Sequence, residues 1–428
     1  MKSQSYGWSA RFSGFLVVSV ALALIWFAFT ADRHWLDDHV LPHMFLTRNW
    51  QLLWWEVERA SAALLGLFLL LVARPLLTRI VSAGRGRELA FQGLLCIFAA
   101  LLSIAASEAV LRATPWRGID RWAASEEPLR QVDRYLGWTN KPSRTGFEQF
   151  GGRRILYHFD ADGHRVADPA KPVDYNRPTI LFTGESIMVG FRLNWPETTP
   201  GRIQTATGIQ SANLAVNGYG SDQSYMRLAA ELPRYRKPVA VVALFSPTLV
   251  ERNLETNRPH LDALLAWHAA RPYWRVLRVF KNAILYRRRS TIENGVMMTR
   301  AVLIATVREA RMRGAIPLIL VPTFSPEPET ERLLRHRILD GAKLPYVLVP
   351  LDPRWRIAGD GHPDANADRV MAEAVLAVLR RQSSLNLPAP SEHSHAIGAM
   401  RHDDNPASAL SHRLGRSPAA LTQAASFR

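Results

Sequence analysis

The chain has 428 residues, with 53 Lys or Arg and 37 Asp or Glu, giving a formal net charge of +16. This length allows one large domain or two modest ones with cores of their own. The basic charge comes with no helix-turn-helix, zinc-finger or RNP-type pattern, so we predict no nucleic-acid partner. The single cysteine, Cys96, excludes intrachain disulfides and structural zinc sites built on cysteine pairs.

Three apolar segments in the first third of the chain predict transmembrane helices. They cover residues 12–31, 60–77 and 89–110. Runs of this kind can cross the ~30 Å of hydrocarbon in a bilayer. A cleaved signal peptide is the alternative for the first run, but small residues do not occupy the positions that cleavage needs. We therefore expect an uncleaved anchor in contact with membrane lipids.

Lysine and arginine placement predicts the orientation of these helices. Lys2 and Arg11 precede the first segment, Arg74 lies near the end of the second and three more arginines follow it before the third, and residues 32–59 carry five acids against three arginines. By the positive-inside rule, the N-terminus is cytoplasmic and the chain after about residue 112 is periplasmic in a bacterial inner membrane. An interfacial aromatic belt is expected at the outer side, formed by Trp26, Trp35, Trp50, Trp54 and Trp55.

Composition divides the rest of the chain. Residues 113–177 predict a linker and pre-domain segment, 178–387 a folded domain, and 388–428 a disordered tail whose histidine spacing matches no metal-ligand pattern. Within 252–290, a basic stretch with apolar residues at helical spacing predicts an amphipathic helix. Its basic face either is solvated or docks on anionic lipid.

Short apolar runs alternate with helical patterns in the domain. The runs cover residues 179–183, 210–216, 239–245, 316–321 and 346–350, and the clear helices 222–232, 296–313 and 365–381. Alternation of this kind predicts a parallel sheet covered by helices on both faces, in a three-layer α/β/α domain.

Ser186 occupies the position of a candidate nucleophile. In PTILFTGESIMVGF (178–191), an apolar strand ends at Gly184-Glu185-Ser186 and a helical pattern follows. Ligands bind beyond the carboxyl ends of strands in such sheets, and a helix start offers free backbone N–H groups. A helix N-cap is the alternative role for the serine.

Two further stretches end at the same edge of the predicted sheet. Asn213 to Gly218 follows the second strand, where Gly218 allows close backbone approach or simply makes a turn. Asp360 and His362 lie in a glycine-rich loop before the last helix. A loop histidine beside an aspartate there can act as base and orienting carboxylate for Ser186, although Asp360 can also serve only as a helix N-terminal charge.

Together these three blocks resemble the SGNH/GDSL hydrolase superfamily over about residues 178–379, in a membrane-anchored bacterial form. The segments 133–142 and 159–166 look like those preceding the domain in such members. The resemblance implies a flavodoxin-like fold, with Ser186 as nucleophile, His362 as base and Asp360 as its partner. It also implies that the N–H groups of Ser186 and Gly218 bind the oxyanion, with no metal or organic cofactor.

Three departures from the family pattern stand out. The first block has Glu185 where the family has Asp. The third block lacks the family's oxyanion Asn; Thr248 lies nearest that position, and Asn253 could replace it only if the loop folds back. Asp360 stands two residues before His362 rather than three, so another carboxylate could support the histidine. Loss of one oxyanion donor typically costs ~10²–10³-fold in rate.

The resemblance and the predicted location imply a periplasmic esterase that cleaves acyl, above all O-acetyl, esters of a glycan or a lipid-linked substrate. One alternative is an O-acyltransferase of the cell-surface polysaccharide machinery that uses the same serine. The other is a binding or assembly protein that kept the fold without the activity.

Overall fold

The computed structural model describes residues 2–42, 48–80, 86–113, 130–271, 274–277, 286–324 and 326–382. The predicted tail at 388–428, and most of the stretch 272–290 with its basic amphipathic pattern, lie outside these ranges.

The N-terminal third is helical. Helix α1 spans Lys2–Thr30, α2 Arg33–His39 and α3 Arg48–Phe68; a π-helical turn, Leu69–Ala73, leads into α4 (Arg74–Ile80), and α5 spans Gly86–Ala113. Two stretches, Arg48–Ile80 and Phe91–Ala113, are long and apolar enough to cross a membrane. The count is three only if Gly14–Thr30 and Arg33–His39, which meet at 96°, form one span.

The second apolar helix begins earlier than predicted. Residues 48–59, expected in an outer loop, form the first turns of α3. Nor is the aromatic belt one lipid-facing group: the rings of Trp35 and Trp55 stack at 5.0 Å, and Tyr286 packs against both. Trp55 is buried, whereas Trp26 and Trp50 are exposed. Tryptophan is amphipathic, so composition alone does not separate an interfacial ring from a packed one.

Eleven strands are assigned in the described chain. They are β1 Arg130–Asp133, β2 Gly137–Asn140, β3 Thr145–Phe150, β4 Arg153–His158, β5 Pro178–Thr183, β6 Gln210–Asn213, β7 Lys237–Leu244, β8 His260–Leu261, β9 Trp267–His268, β10 Ile316–Phe324 and β11 Tyr346–Leu351. Five of them form one sheet in the order β11-β10-β7-β5-β6, and every pair in it is parallel. In chain order this is the 2-1-3-4-5 arrangement of flavodoxin-like folds.

Helices cover both faces of this sheet. They are α6 Ser186–Val189, α7 Thr199–Thr207, α8 Ser221–Glu231, α9 Arg289–Met312, α10 Glu329–Ile338 and α11 Ala365–Gln382. Helix α11 packs with α7 over one core that includes Phe182 and Leu320, while α9 and α10 cover the opposite face around Ile319 and Val321. Alternate residues of β10 thus enter opposite cores, as the pleat of a strand requires. The predicted three-layer α/β/α fold is confirmed.

Residues 130–177 are packed against the domain rather than extended as a linker. The hairpins β1–β2 and β3–β4 are antiparallel, and Ile155 and Tyr157 of β4 are buried while their neighbours on the strand are more exposed. Arg165, fully buried, donates hydrogen bonds to the carbonyl oxygens of Val189, Gly190 and Leu193 at 2.5–2.7 Å. This segment therefore holds the chain that directly follows α6.

The N-terminal helices contact the rest of the described chain at places that include two backbone hydrogen bonds. The backbone N–H of Val276 donates to the carboxylate of Glu108, near the end of α5, at 2.8 Å. In the second of these bonds, the N–H of Arg287 donates to the carbonyl of His39 at 2.7 Å. Glu108, an acid within a predicted span, thereby serves as an attachment point for the segment leading into α9.

Candidate active site

The first strand of the sheet by sequence, β5, delivers Ser186 to the carboxyl edge. Gly184 follows the strand, and a Cβ there would lie only 2.7 Å from Cβ of Leu244 on the neighbouring β7. Only glycine fits this close approach, so the chain turns sharply and Ser186 becomes the first residue of α6. Its N–H therefore has no partner within the helix. The position is the β5/β7 switch point, where ligands bind in such sheets.

His362 and Asp360 reach Ser186 from the loop between β11 and α11. Oγ of Ser186 lies 2.8 Å from Nε2 of His362. Nδ1 of His362 contacts Oδ1 of Asp360, which also accepts the histidine backbone N–H at 3.1 Å. Burial alone would raise the pKa of Asp360, but hydrogen bonds from His362 and the charge of Arg192 outweigh it and hold the pKa below its usual range. The carboxylate beside the imidazole is therefore ionised at neutral pH.

The unusual spacing of Asp360 and His362 is accommodated locally. Gly361 between them has φ +89°, a left-handed conformation that favours glycine. The loop closes with a hydrogen bond from the N–H of Ile357 to the carbonyl of His362 at 2.8 Å. In this loop Asp360 supports the histidine directly, and no other carboxylate is needed for that contact.

Glu185 takes part in the site through its extra methylene. One carboxylate oxygen accepts the N–H of Ile187 at 3.1 Å, which caps α6, and the other contacts the hydroxyl of Ser186. A hydroxyl has one proton, so Glu185 and Nε2 of His362 compete for it. Ser186 is fully buried and His362 nearly so.

The second block lies against the first. The N–H of Val216 donates to the carbonyl of Gly184 at 3.3 Å, and Gly218 sits two residues farther along, in the turn after β6. The carbonyl of Asn217 accepts two donors from hairpin β1–β2, Nη1 of Arg130 and Nε1 of Trp138, each at 3.0 Å. The N–H of Gly218 belongs to the same peptide and, in a trans peptide, points the opposite way. The hairpin therefore orients the predicted oxyanion donor.

The third block offers no asparagine to the site. Thr248 lies in the 3-10 helix Pro247–Leu254, and its side chain is outside the described part of the structure. Asn253 does not replace the missing donor, because its amide nitrogen binds Thr299 Oγ1 at 2.6 Å and its oxygen accepts the N–H of Ser221 at 2.9 Å. Its side chain instead ties the start of α8 to α9.

Three arginines at or beside the site carried no motif in the sequence. Arg192 contacts Asp360, Arg165 holds the chain after α6, and Arg130 holds the peptide of Gly218. Each lies far along the chain from its main partner, so spacing gave no signal. The nearest hint was the resemblance of segment 159–166, which contains Arg165, to pre-domain segments of the family.

Among the described residues, no three His, Cys, Asp or Glu side chains are placed to hold a metal ion. A cavity of about 300 Å³ exists near the edge strand β6, lined by residues such as Val166, Trp195 and Gln210. None of the triad residues lines it, so the cavity is separate from Ser186.

No family model and no curated protein sequence matches the chain. Similar solved structures include an acetyl xylan esterase from the rumen bacterium Butyrivibrio proteoclasticus, with 11% identity over 53% of this chain and 68% of that one, at a TM-score of 0.32. A structure described as an active site mutant of a family two carbohydrate esterase from Clostridium thermocellum has 13% sequence identity over 50% of this chain and 66% of that one, at a TM-score of 0.31. A salicylyl-acyltransferase from a tetracycline biosynthetic pathway has 15% sequence identity over 50% of this chain and 58% of that one, at a TM-score of 0.29.

All three TM-scores are near 0.3, so none of these structures carries the fold assignment. The fold assignment depends instead on the parallel 2-1-3-4-5 sheet, and on the three motif blocks meeting at its carboxyl edge. Those features give the chain a flavodoxin-like α/β/α fold, and its three motif blocks resemble those of the SGNH/GDSL hydrolases.

Proposed function

We propose that this chain is a membrane-anchored serine esterase that hydrolyses acyl esters, chiefly O-acetyl groups, of a glycan or a lipid-linked substrate. The supporting observation is the continuous contact from Ser186 through His362 to the ionised Asp360. An imidazole placed between a hydroxyl and a carboxylate can take a proton from one while its cation is stabilised by the other.

The proposed reaction has two halves. Oγ of Ser186 attacks the ester carbonyl and gives its proton to Nε2 of His362, while the N–H groups of Ser186 and Gly218 bind the oxyanion. Collapse breaks the C–O bond, and the leaving alcohol takes the proton from His362. Water then loses a proton to His362 and attacks the acyl-serine; as the bond to Oγ breaks, His362 returns that proton to Oγ, which releases the acid and restores Ser186. No step calls for a metal or an organic cofactor.

A membrane-borne substrate is favoured by the side of the domain that meets the apolar helices. A crossover helix runs antiparallel to the strands of a parallel sheet, so the start of α9 lies at the carboxyl edge, as does Ser186. Arg289 at that start forms an ion pair with Asp38, and Leu41 shares a buried apolar cluster with Phe245 at the end of β7. In the orientation expected from the sequence, this edge lies near the periplasmic surface of the membrane.

Acyl transfer is a second candidate, favoured by the burial of Ser186. A nucleophile with no exposed surface keeps water from the acyl intermediate better than an open one does, and an acceptor hydroxyl that enters with the substrate can then outcompete water. The cell-surface polysaccharide machinery would be the partner in this case. The third candidate, a non-catalytic binding or assembly protein, is favoured by the absence of the third-block asparagine.

One assay separates these candidates. The full chain in detergent is given 4-nitrophenyl acetate or acetylated xylan, with and without an added sugar acceptor, and free acetate and acetylated acceptor are both measured. An esterase releases acetate whether or not the acceptor is present, whereas a transferase passes acetyl to the acceptor.

Ser186→Ala should abolish either activity, and Ser290→Ala, at an exposed serine in α9, should leave it unchanged. Absence of turnover in folded wild-type protein would contradict both enzymatic candidates and support the binding protein.

A further inference from the structure

We propose that Arg192 is a positioning residue of this site, which holds Asp360 against His362 and is itself held by hairpin β3–β4. The inference deepens the proposed function, because it assigns a residue that controls the same triad. It also explains how a loop aspartate at unusual spacing is kept in place.

The two oxygens of the Asp360 carboxylate contact different residues, His362 and Arg192. Oδ1 contacts Nδ1 of His362, and Oδ2 contacts Nη1 of Arg192. Donors on both oxygens of a carboxylate fix the orientation of its plane. The loop backbone is closed by hydrogen bonds of Asp360 and His362 to Ile357, but these bonds do not hold the far oxygen, Oδ2, of the Asp360 side chain. The fixed point for this carboxylate is therefore Arg192.

Hairpin β3–β4 holds Arg192 from the other side. Nε donates to Oε1 of Glu148 at 3.1 Å, and the guanidinium lies 3.5 Å from the ring centroid of Phe150. The backbone N–H of Arg192 donates to the hydroxyl of Tyr157 at 2.8 Å. Glu148 and Phe150 belong to β3 and Tyr157 to β4. The flat, forked guanidinium can satisfy two carboxylates and one ring at once, which a lysine ammonium cannot.

The backbone at Arg192 supports a role for its side chain. Its φ is +61°, a left-handed conformation that is unfavourable for a non-glycine residue. Glycine or asparagine would relieve that cost if the turn alone mattered. An arginine persists in such a conformation only when its surroundings hold it there. The contacts with Glu148, Tyr157 and Asp360 do so.

The segment that carries Arg192 also carries the nucleophile. Ser186 begins α6, the ring of Phe191 lies edge-on to that of His362 at 5.1 Å, and Arg192 follows at once. Seven consecutive residues thus position nucleophile, base and acid together. A displacement of hairpin β3–β4 would therefore shift Arg192 and, through it, Asp360.

The test compares Arg192→Met, Arg192→Lys and Arg154→Met in the full chain, by 4-nitrophenyl acetate kinetics across pH. Arg154 is a matched control, because it lies on the same hairpin and packs on Phe147 away from Asp360. Arg192→Met should lower kcat by about 10- to 100-fold with little change in KM, as small misplacement of a catalytic group does. Arg154→Met should match wild type.

The pH profile distinguishes positioning from general damage. Loss of the Arg192 cation makes the triad more negative and favours protonated imidazole, so the acid limb of kcat/KM should move to higher pH. Arg192→Lys retains the charge and should leave the limb near its wild-type position while kcat falls. Wild-type kcat and an unmoved limb in Arg192→Met would overturn the inference.

A double-mutant cycle keeps the inference distinct from the proposed function. The unfolding midpoints of Arg192→Met, Asp360→Asn and the double variant should be non-additive if the guanidinium holds this carboxylate. Additive midpoints would refute the contact even in an active enzyme. Wild-type protein that is inactive yet shows coupling would contradict the esterase proposal and leave the role of Arg192 in holding Asp360 standing.

Discussion

The hydroxyl of Ser186 faces two acceptors, a carboxylate oxygen of Glu185 and Nε2 of His362. Glu185 keeps the helix-capping contact with the N–H of Ile187 that a carboxylate at this position provides, yet it also reaches the serine. A proton given to Glu185 is withheld from His362. In the resting site, Glu185 therefore partly restrains proton transfer from Ser186 to His362.

Replacing Glu185 by Asp should speed acylation. The shorter side chain can still cap α6, since Asp is a good N-cap, but no longer competes for the hydroxyl. A hydrogen bond is worth about 1 kcal/mol net, so we expect roughly a fivefold faster reaction with a fluorophosphonate probe. A matched control, Glu197→Asp, alters a carboxylate that binds Arg153 outside the site. Slower labelling of Glu185→Asp would show that Glu185 assists the serine instead.

Residue by residue, the sequence indicated the triad because its members occur in short motifs. Ser186 follows a strand and a glycine, and His362 stands beside Asp360 before a helix. Arg192 escaped prediction because its partners lie at positions 148, 157 and 360 and meet it only in the folded chain. The third-block donor stays a prediction at Thr248, and the alternative at Asn253 is wrong because Thr299 and Ser221 occupy its amide.

At the scale of elements, one buried histidine joins the pre-domain segment to the sheet. Nδ1 of His164 contacts Asp160 at 3.1 Å and Nε2 contacts Glu231 on α8. Burial would lower the pKa of His164, but the hydrogen bonds to Asp160 and Glu231 outweigh it and raise the pKa above its usual value. Arg227 binds the other oxygen of Glu231 at 2.9 Å, which completes a buried network of two cations and two anions.

This network predicts a pH dependence of stability. A raised folded pKa means that protonated His164 stabilises the fold fully below about pH 6.5, the usual histidine pKa. That contribution is lost as pH rises through the folded pKa. The unfolding midpoint of the full chain in detergent should therefore fall from pH 6 toward pH 9.

His164→Gln should weaken this fall and destabilise the protein more at pH 6 than at pH 9. The control is His336→Gln, at an exposed histidine that pairs with Asp340 on the surface. A pH slope in His164→Gln equal to that of wild type would contradict the assignment.

Strand and helix positions in the domain were predictable, and residues 130–177 were not. The three inner strands, β5, β7 and β10, are largely buried, so each produced a continuous apolar run in the sequence. Hairpin β3–β4 buries few residues, among them Ile155 and Tyr157, and exposes Arg153 and Arg154 before them and Leu156 between them. So sparse a pattern is typical of a linker as well as of an edge hairpin, and only tertiary contacts such as those of Arg165 separate the two.

For the whole molecule, the number of membrane crossings decides which side of the membrane the domain occupies. Three crossings would place it opposite the N-terminus and two on the same side. The number is three if Gly14–Thr30 and Arg33–His39, which meet at 96°, form one span, and two if they do not. The orientation predicted from charge requires three crossings.

Cysteine labelling in intact cells tests this orientation. The natural Cys96 lies in a stretch that can span the membrane, so a membrane-impermeant maleimide should not reach it. Arg313→Cys, at an exposed position after α9, should be labelled from the periplasm without permeabilisation. Labelling of Arg313→Cys only after the inner membrane is opened would show two crossings and a cytoplasmic domain.

The central claim is that Ser186 is a nucleophile activated by His362. The most direct measurement is mass spectrometry of the full chain in detergent after reaction with a fluorophosphonate, comparing wild type with His362→Ala and with Ser290→Ala. The account predicts one modification on the peptide containing Ser186, retained in Ser290→Ala and lost in His362→Ala. An unmodified Ser186 in folded wild-type protein, or modification that persists without His362, would contradict it.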